Sequence, residues 1–276
     1  MQDSTQRIRE HYDAADGTDG MLGIVEEILG GMPAGMLTST DLAAFDQFHV
    51  GGLPATKQFM ALLDPQPGMT IFDAGSGFGG PSRFVAETYD CRVVGVDITP
   101  AYVAVAQRLS ERTRTANRIG YRTGDLLDLD DTDASYDAMY TQHVVMNIRE
   151  RVPLYRELRR VLKPGARFGF HDILAADDQP APDYPLPWAD SAEISTLLTE
   201  SETRRALLAA GFDVMVWNDV TADATAAAVR MQSNVGPGPT LGTIVGPRFA
   251  ERFANLRRTL ENGRLRVVMG VGTARP

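Results

Sequence analysis

The chain has 276 residues, 43% of them hydrophobic and 23% charged, the balance of an ordinary globular protein with room for a large buried core. A net charge of -9, from 27 basic against 36 acidic residues, argues against nucleic acid or an anionic membrane as the partner. The single cysteine, Cys91, excludes an intrachain disulfide framework, and no metal-type Cys/His spacing is present. A cytoplasmic setting is then the simplest fit, and no signal-peptide pattern or apolar run long enough to span a membrane is found.

The first ~65 residues read as mostly helical. Residues 4–15 form one predicted helix, with Ile8 and Tyr12 on one face and Ser4 as a candidate cap. Residues 21–30 form a second, ended by Gly30-Gly31. Asp41 to His49 and Leu53 to Leu63 follow, the latter stopping before Asp64-Pro65 and Pro67-Gly68. We treat 1–64 as an N-terminal helical cap on a domain covering 65–276.

From residue 69 strands and helices alternate. Strands are expected at 69–74, 92–97, 119–123, 136–141, 167–173, 212–217 and 265–271. Thr99-Pro100 marks a helix start, a cap followed by a first-turn proline. A helix over 149–162 stops at Lys163-Pro164-Gly165. Residues 174–198 are an insertion rich in proline and aspartate, with Tyr184 and Trp188 inside it, the composition of a functional lid or a mobile loop. Short connections between alternating elements imply an α/β fold, a doubly wound, mostly parallel sheet covered by helices on both faces.

The densest signal runs from Thr70 to Gly80. The apolar Ile71-Phe72 leads to Asp73 and then to Gly75, Gly77, Gly79 and Gly80, with Asp97 closing the next strand. Such a turn lets a ligand lie against the backbone. Gly75-x-Gly77-x-x-Gly80 with Asp97 satisfies the dinucleotide fingerprint, which on its own would indicate an NAD-dependent oxidoreductase. Two acids count against it. Asp73 would repel a pyrophosphate but suits a cationic ligand end. Gly124-Asp125-Leu126, after the third strand, offers a carboxylate to an adenine amino group.

Asp73-Ala-Gly75-Ser-Gly77-Phe-Gly79, Val96-Asp97 and Gly124-Asp125-Leu126 resemble the first three motifs of the class I S-adenosylmethionine-dependent methyltransferases. Tyr136-Asp137 and Leu158 to Gly165 resemble later signatures of that family, so the likeness covers roughly 60–220. Phe45 to Gly52 is similar to the sarcosine/dimethylglycine and ubiquinone/tocopherol methyltransferase groups. The resemblance implies a Rossmann-like seven-stranded sheet, S-adenosylmethionine as cofactor and S-adenosylhomocysteine as product. It also implies roles. Gly75, Ser76 and Gly77 would bring backbone against the methionine part, with Asp73 orienting the loop or the amino group. Asp97 would accept the ribose hydroxyls and Ile98 would pack the adenine. Gly124, Asp125 and Leu126 would hold the adenine edge and ring, and Gln142 would lie under the methionine part. Tyr12 would either close over the donor or pack in the core, and Gln47 would either reach the donor's carboxylate or stand as a solvated helix residue.

Methyl transfer requires alignment of donor and acceptor, and a base where the acceptor sheds a proton. Of four histidines, His143 and His171 follow or end strands where open α/β sheets bind ligands, and His49 sits before Gly51-Gly52. These three are the catalytic candidates; each could equally be a structural, hydrogen-bonded histidine. Asp172 is discounted because alternation turns it to the other face. The expected acceptor is a small molecule methylated on nitrogen, oxygen or carbon, without nucleic-acid or membrane partners and with a homodimer left open. The rivals are the oxidoreductase and a non-catalytic S-adenosylmethionine-binding protein.

Overall fold

The computed structural model describes residues 17–233 and 238–276. The helix expected at 4–15, and Tyr12 with it, lies outside the described residues. Three helices come first: α1 (Gly17–Gly30), α2 (Ser39–Asp46) and α3 (Gly52–Leu63). Then follow β1 (Thr70–Ala74), α4 (Gly80–Tyr89), β2 (Arg92–Asp97), α5 (Pro100–Glu111), β3 (Ile119–Thr123), β4 (Tyr136–Gln142), α6 (Arg151–Val161) and β5 (Leu162–Ala175). The chain closes with α7 (Glu200–Ala209), β6 (Phe212–Asp219), α8 (Thr221–Ser233), α9 (Leu241–Val245), α10 (Phe249–Glu261) and β7 (Leu265–Ala274).

The seven strands form one sheet in the order β3-β2-β1-β4-β5-β7-β6, parallel except for β7, which runs against both β5 and β6. The order reverses between β1 and β4, the place where doubly wound sheets open a crevice at their carboxyl ends. β1 and β4 are buried almost throughout, as expected of central strands covered on both faces. One apolar cluster joins Phe59 and Leu63 of α3 to Ile71, Tyr140, Ile173 and Leu256. A second joins Phe72, Leu154, Leu158, Phe168 and Phe212. In a third, Met21, Val25 and Leu29 of α1 pack on Tyr102 and Leu109 of α5.

Three local expectations need correction. Lys163-Pro164-Gly165 does not separate helix from strand, because β5 already begins at Leu162, paired with Tyr136. The proline, which has no N–H for the ladder, is absorbed in a register shift before Ala138, with Gly165 at φ 77°. Thr99 stands at the N-cap of α5, but its side chain makes no cap bond; the Asp97 carboxylate accepts the Thr99 N–H instead, at 2.9 Å. Helix α2 ends at Asp46, so Gln47, Phe48 and His49 form a non-helical connection to α3.

Where β7 crosses β5 the packing leaves no room for a side chain. A Cβ on Gly270 would lie 2.2 Å from Phe170 Cζ and 2.7 Å from the Val216 carbonyl oxygen. Gly270→Ala is therefore expected to destabilise the fold by about 1–3 kcal/mol through overpacking. Urea denaturation measures this; an unchanged midpoint would contradict the packing described.

Candidate active site

The glycine turn after β1 is shaped by two demands. The N–H groups of Gly75 and Ser76 both donate to the Val96 carbonyl, at 2.8 and 3.1 Å, which binds the turn to the end of β2. Gly75 has φ 86°, and a Cβ there would come within 2.3 Å of Val144 Cγ2, so no side chain fits. At Gly77, φ 51°, a Cβ would meet nothing within 4 Å: the backbone is bare toward the cleft.

Asp97 organises this floor. Its Oδ2 accepts from the Gly77 N–H and its Oδ1 from the Thr99 N–H, both at 2.9 Å, while its own carbonyl accepts from the Gly124 N–H at 3.0 Å. Burial raises its carboxyl pKa, and the backbone donors oppose that. Asp125 accepts from the Leu127 N–H at 2.9 Å. Read across the sheet edge, Asp125 follows β3, Asp97 ends β2, Gly75 follows β1, and Gln142 and His143 end β4. All five line one cleft of about 1210 Å³, mouth included.

Beneath the turn, Asp73 accepts from Ser82 Oγ at 2.5 Å and from the Tyr140 hydroxyl at 2.8 Å. Burial pushes its pKa up to about 6. It ties β1 to α4 and β4 and is not part of the cleft wall. Arg83, fully buried, donates to Asp46 Oδ2 at 3.0 Å, to the Phe78 carbonyl at 2.5 Å, and to Ala106 O and Ser110 Oγ at 3.2 Å each. The glycine turn is thereby pinned from below to α2 and α5.

The other half of the cleft carries the histidines. The His143 and His171 ring centroids are 4.6 Å apart, and His49 lies 6.0 Å from the first and 5.8 Å from the second. His143 adopts a left-handed backbone, φ 56°, and its N–H donates to the His171 carbonyl at 2.8 Å. His49 and His143 line the cleft. His171 stands behind, 1% exposed, with its Nδ1 3.0 Å from the Gln142 amide nitrogen. Burial depresses all three pKa values, that of His49 to about 4, so the three rings are neutral near pH 7.

Of the residues singled out from sequence, Gly75, Gly77, Asp97, Ile98, Asp125, Leu126, Gln142, His49 and His143 line the cleft. Asp73, Ser76, Gly124, His171 and Gln47 do not. Gln47 is buried, its amide nitrogen donating to Asp46 and its oxygen accepting from Thr56. Asp172 is also buried outside the cleft, its pKa raised to about 7 by burial. Sequence reasoning missed Thr99 and Tyr102, which line the cleft near Asp97, and the apolar wall from Phe249, Phe253 and Leu256 of α10. The helical spacing of that last trio was legible; its destination was not. Trp188, in the loop after β5, is buried in the wall, its indole N–H bonded to Ser195 Oγ at 3.0 Å, while Tyr184 packs on the core beside it. Among the described residues, the charged side chains of the cleft are Asp97, Asp125, Arg149 and Glu150. Among them, too, no cluster of His, Cys, Asp and Glu is arranged to hold a metal ion, and no helix is long and apolar enough to cross a membrane.

This geometry meets its counterpart in known proteins. Residues 72–170 match the family described as a methyltransferase domain. An O-methyltransferase of Penicillium expansum is 28% identical over 217 residues, covering 78% of this chain and 76% of its own. The chain spans 62% of the first curated relative it matches and 27% and 26% of the next two. Among solved structures, a geranyl diphosphate C-methyltransferase from Streptomyces coelicolor A3(2), holding S-adenosyl-L-homocysteine, superposes with a TM-score of 0.69 at 18% identity over 98% of both chains. A [4+2]-cyclase superposes with a TM-score of 0.71 at 17% identity, covering 98% of this chain and 97% of its own. The fold is thus the Rossmann-like one of these structures, and the matched segment is that of a methyltransferase domain.

Proposed function

We propose that this chain transfers a methyl group from S-adenosylmethionine to a small organic acceptor. The observation that carries the reading is a single cleft in which an acidic glycine floor adjoins an apolar, histidine-bearing wall. When bound, the donor supplies an electrophilic methyl group on a positively charged sulfur. Asp97, with lone pairs beyond those used by Gly77 and Thr99, accepts from the ribose hydroxyls. Asp125 faces the adenine amino group, and Ile98 and Leu126 pack the ring. Gly75 and Gly77 leave space for the methionine part, and Gln142 closes the floor. Two carboxylates at this end favour a cationic ligand over a pyrophosphate. The acceptor occupies the wall built by Trp188, Phe249, Phe253 and Leu256, next to His49 and His143. A cytoplasmic location, no nucleic-acid partner and a cap formed by residues 1–64 belong to the same reading.

Calorimetry with S-adenosylmethionine, S-adenosylhomocysteine and NAD tests it. Both methionine-derived ligands are expected to bind and NAD is not. Binding of NAD alone would restore the oxidoreductase reading. Binding of the donor without methylation of any compound in a broad labelled-donor screen would point to a non-catalytic or cyclase-like use of the fold.

A further inference from the structure

Three histidines meet at the cleft, and the bonds around them distinguish one. A chain of hydrogen bonds runs from the buried Arg83–Asp46 pair to His49. The Gln47 amide nitrogen donates to Asp46 Oδ1 at 2.9 Å, Thr56 Oγ1 donates to Gln47 Oε1 at 2.8 Å, and Thr56 Oγ1 lies 3.0 Å from His49 Nε2. The same Nε2 is 3.1 Å from the Gly52 carbonyl oxygen.

Every direction in this chain is forced. Asp46, ion-paired with Arg83 at 3.0 Å, can only accept, so the Gln47 amide must present its NH2 there and its oxygen to Thr56. Thr56 has one hydroxyl proton, and Gln47 takes it. Toward His49, Thr56 can therefore only accept, and the Gly52 carbonyl can only accept. Nε2 must carry the ring proton, and Nδ1 must hold the free lone pair. His49 lines the cleft, and its Nδ1 is not among the buried polar atoms left without a partner. His143 differs: its Nε2 is buried and unpartnered, so no comparable network fixes its tautomer.

Building on the methyltransferase reading, we infer that His49 Nδ1 is the proton acceptor of the reaction, with Thr56 and Gln47 as positioning residues, and that the acceptor is an apolar molecule bearing an O–H or N–H group. The acceptor's oxygen or nitrogen lone pair forms the new bond to the methyl carbon as the carbon–sulfur bond breaks and its electron pair stays on sulfur. The acceptor proton passes to Nδ1, so the positive charge leaves sulfur and ends on the imidazolium, from which the proton goes to solvent. A weakly basic ring suffices, because the heteroatom becomes strongly acidic as its bond to carbon forms. The apolar wall selects the body of the acceptor, and Nδ1 selects its proton-bearing atom.

The test reads the ring directly. In full-length protein labelled with 15N-histidine, only four histidines contribute, and the signal lost in His49→Gln identifies His49. The expected spectrum shows Nε2 protonated and Nδ1 unprotonated. Thr56→Val removes one of the two acceptors on Nε2, leaving the Gly52 carbonyl, so it should shift the Nε2 resonance and raise the share of the minor tautomer, and Thr56→Ser should restore the wild-type signal. At saturation, 2-naphthol should shift the Nδ1 resonance, whereas 2-methoxynaphthalene, of similar shape without the proton, should not. A protonated Nδ1 in the wild type, a Thr56→Val spectrum identical to wild type, or equal responses to the two probes would each overturn the inference. Wild-type calorimetry with S-adenosylmethionine separates the failures: no donor binding sinks the methyltransferase reading, whereas donor binding with the wrong tautomer sinks this inference alone.

Discussion

Arg83→Leu is expected to destabilise the protein by about 3–5 kcal/mol, the range for removing one partner of a buried ion pair. Arg83 and Asp46 both have fully buried side chains. The substitution strands a carboxylate that already pays a burial penalty, seen in its raised pKa. It also removes the donors to Phe78 O, Ala106 O and Ser110 Oγ. The double variant Asp46→Leu/Arg83→Leu should cost much less than the sum of the two single changes, since it removes both charges together. Urea denaturation of the three variants measures the coupling. Additive losses would mean that the pair contributes nothing as a pair. Because Phe78 lies inside the glycine turn, Arg83→Leu should also weaken donor binding, an effect calorimetry reads separately.

Contiguity in the chain explains how much of this was legible. Asp73, Gly75, Gly77 and Asp97 lie at the ends of adjacent parallel strands, so a periodic apolar run followed by glycine places them without any tertiary knowledge. The sheet and the glycine floor of the cleft were readable for that reason. His49, His143 and His171 could be proposed one by one, but that their rings meet within about 6 Å depends on α3 docking over β4 and β5, which no local pattern encodes. Arg83 reads in sequence as an ordinary helix cation. Its burial requires Asp46, 37 positions earlier, and a helix laid over the turn. Thr56 gives no sequence signal at all; its importance lies in which way its single proton must point. Asp73 was expected to orient either the loop or the donor's amino group, and its bonds lie on the loop side. Its charge was informative about the ligand class, yet Ser82 and Tyr140 occupy it, so it shapes the floor from beneath.

Asp97→Ala should reduce affinity for S-adenosylmethionine more than 100-fold. A carboxylate accepting from two ribose hydroxyls provides hydrogen bonds to a charged group, worth about 1.5–3 kcal/mol each, and about 2.7 kcal/mol already corresponds to 100-fold. The same carboxylate holds the Gly77 and Thr99 N–H groups, so its removal also frees the glycine turn. Asp97→Asn is the sharper variant. It is nearly isosteric, but one of its two terminal atoms becomes an NH2 group, which must face either the Gly77 or the Thr99 N–H, donor against donor. It should therefore lose nearly as much affinity as alanine, whereas a residue that only contributed negative charge would show intermediate loss. Asp125→Ala, which on the proposed reading removes a contact to the adenine edge alone, should lose less than Asp97→Ala. Calorimetry on the three variants decides the matter: an Asp125 effect equal to or larger than that of Asp97 would mean that the donor is anchored by its base and that the β2 carboxylate serves the loop only.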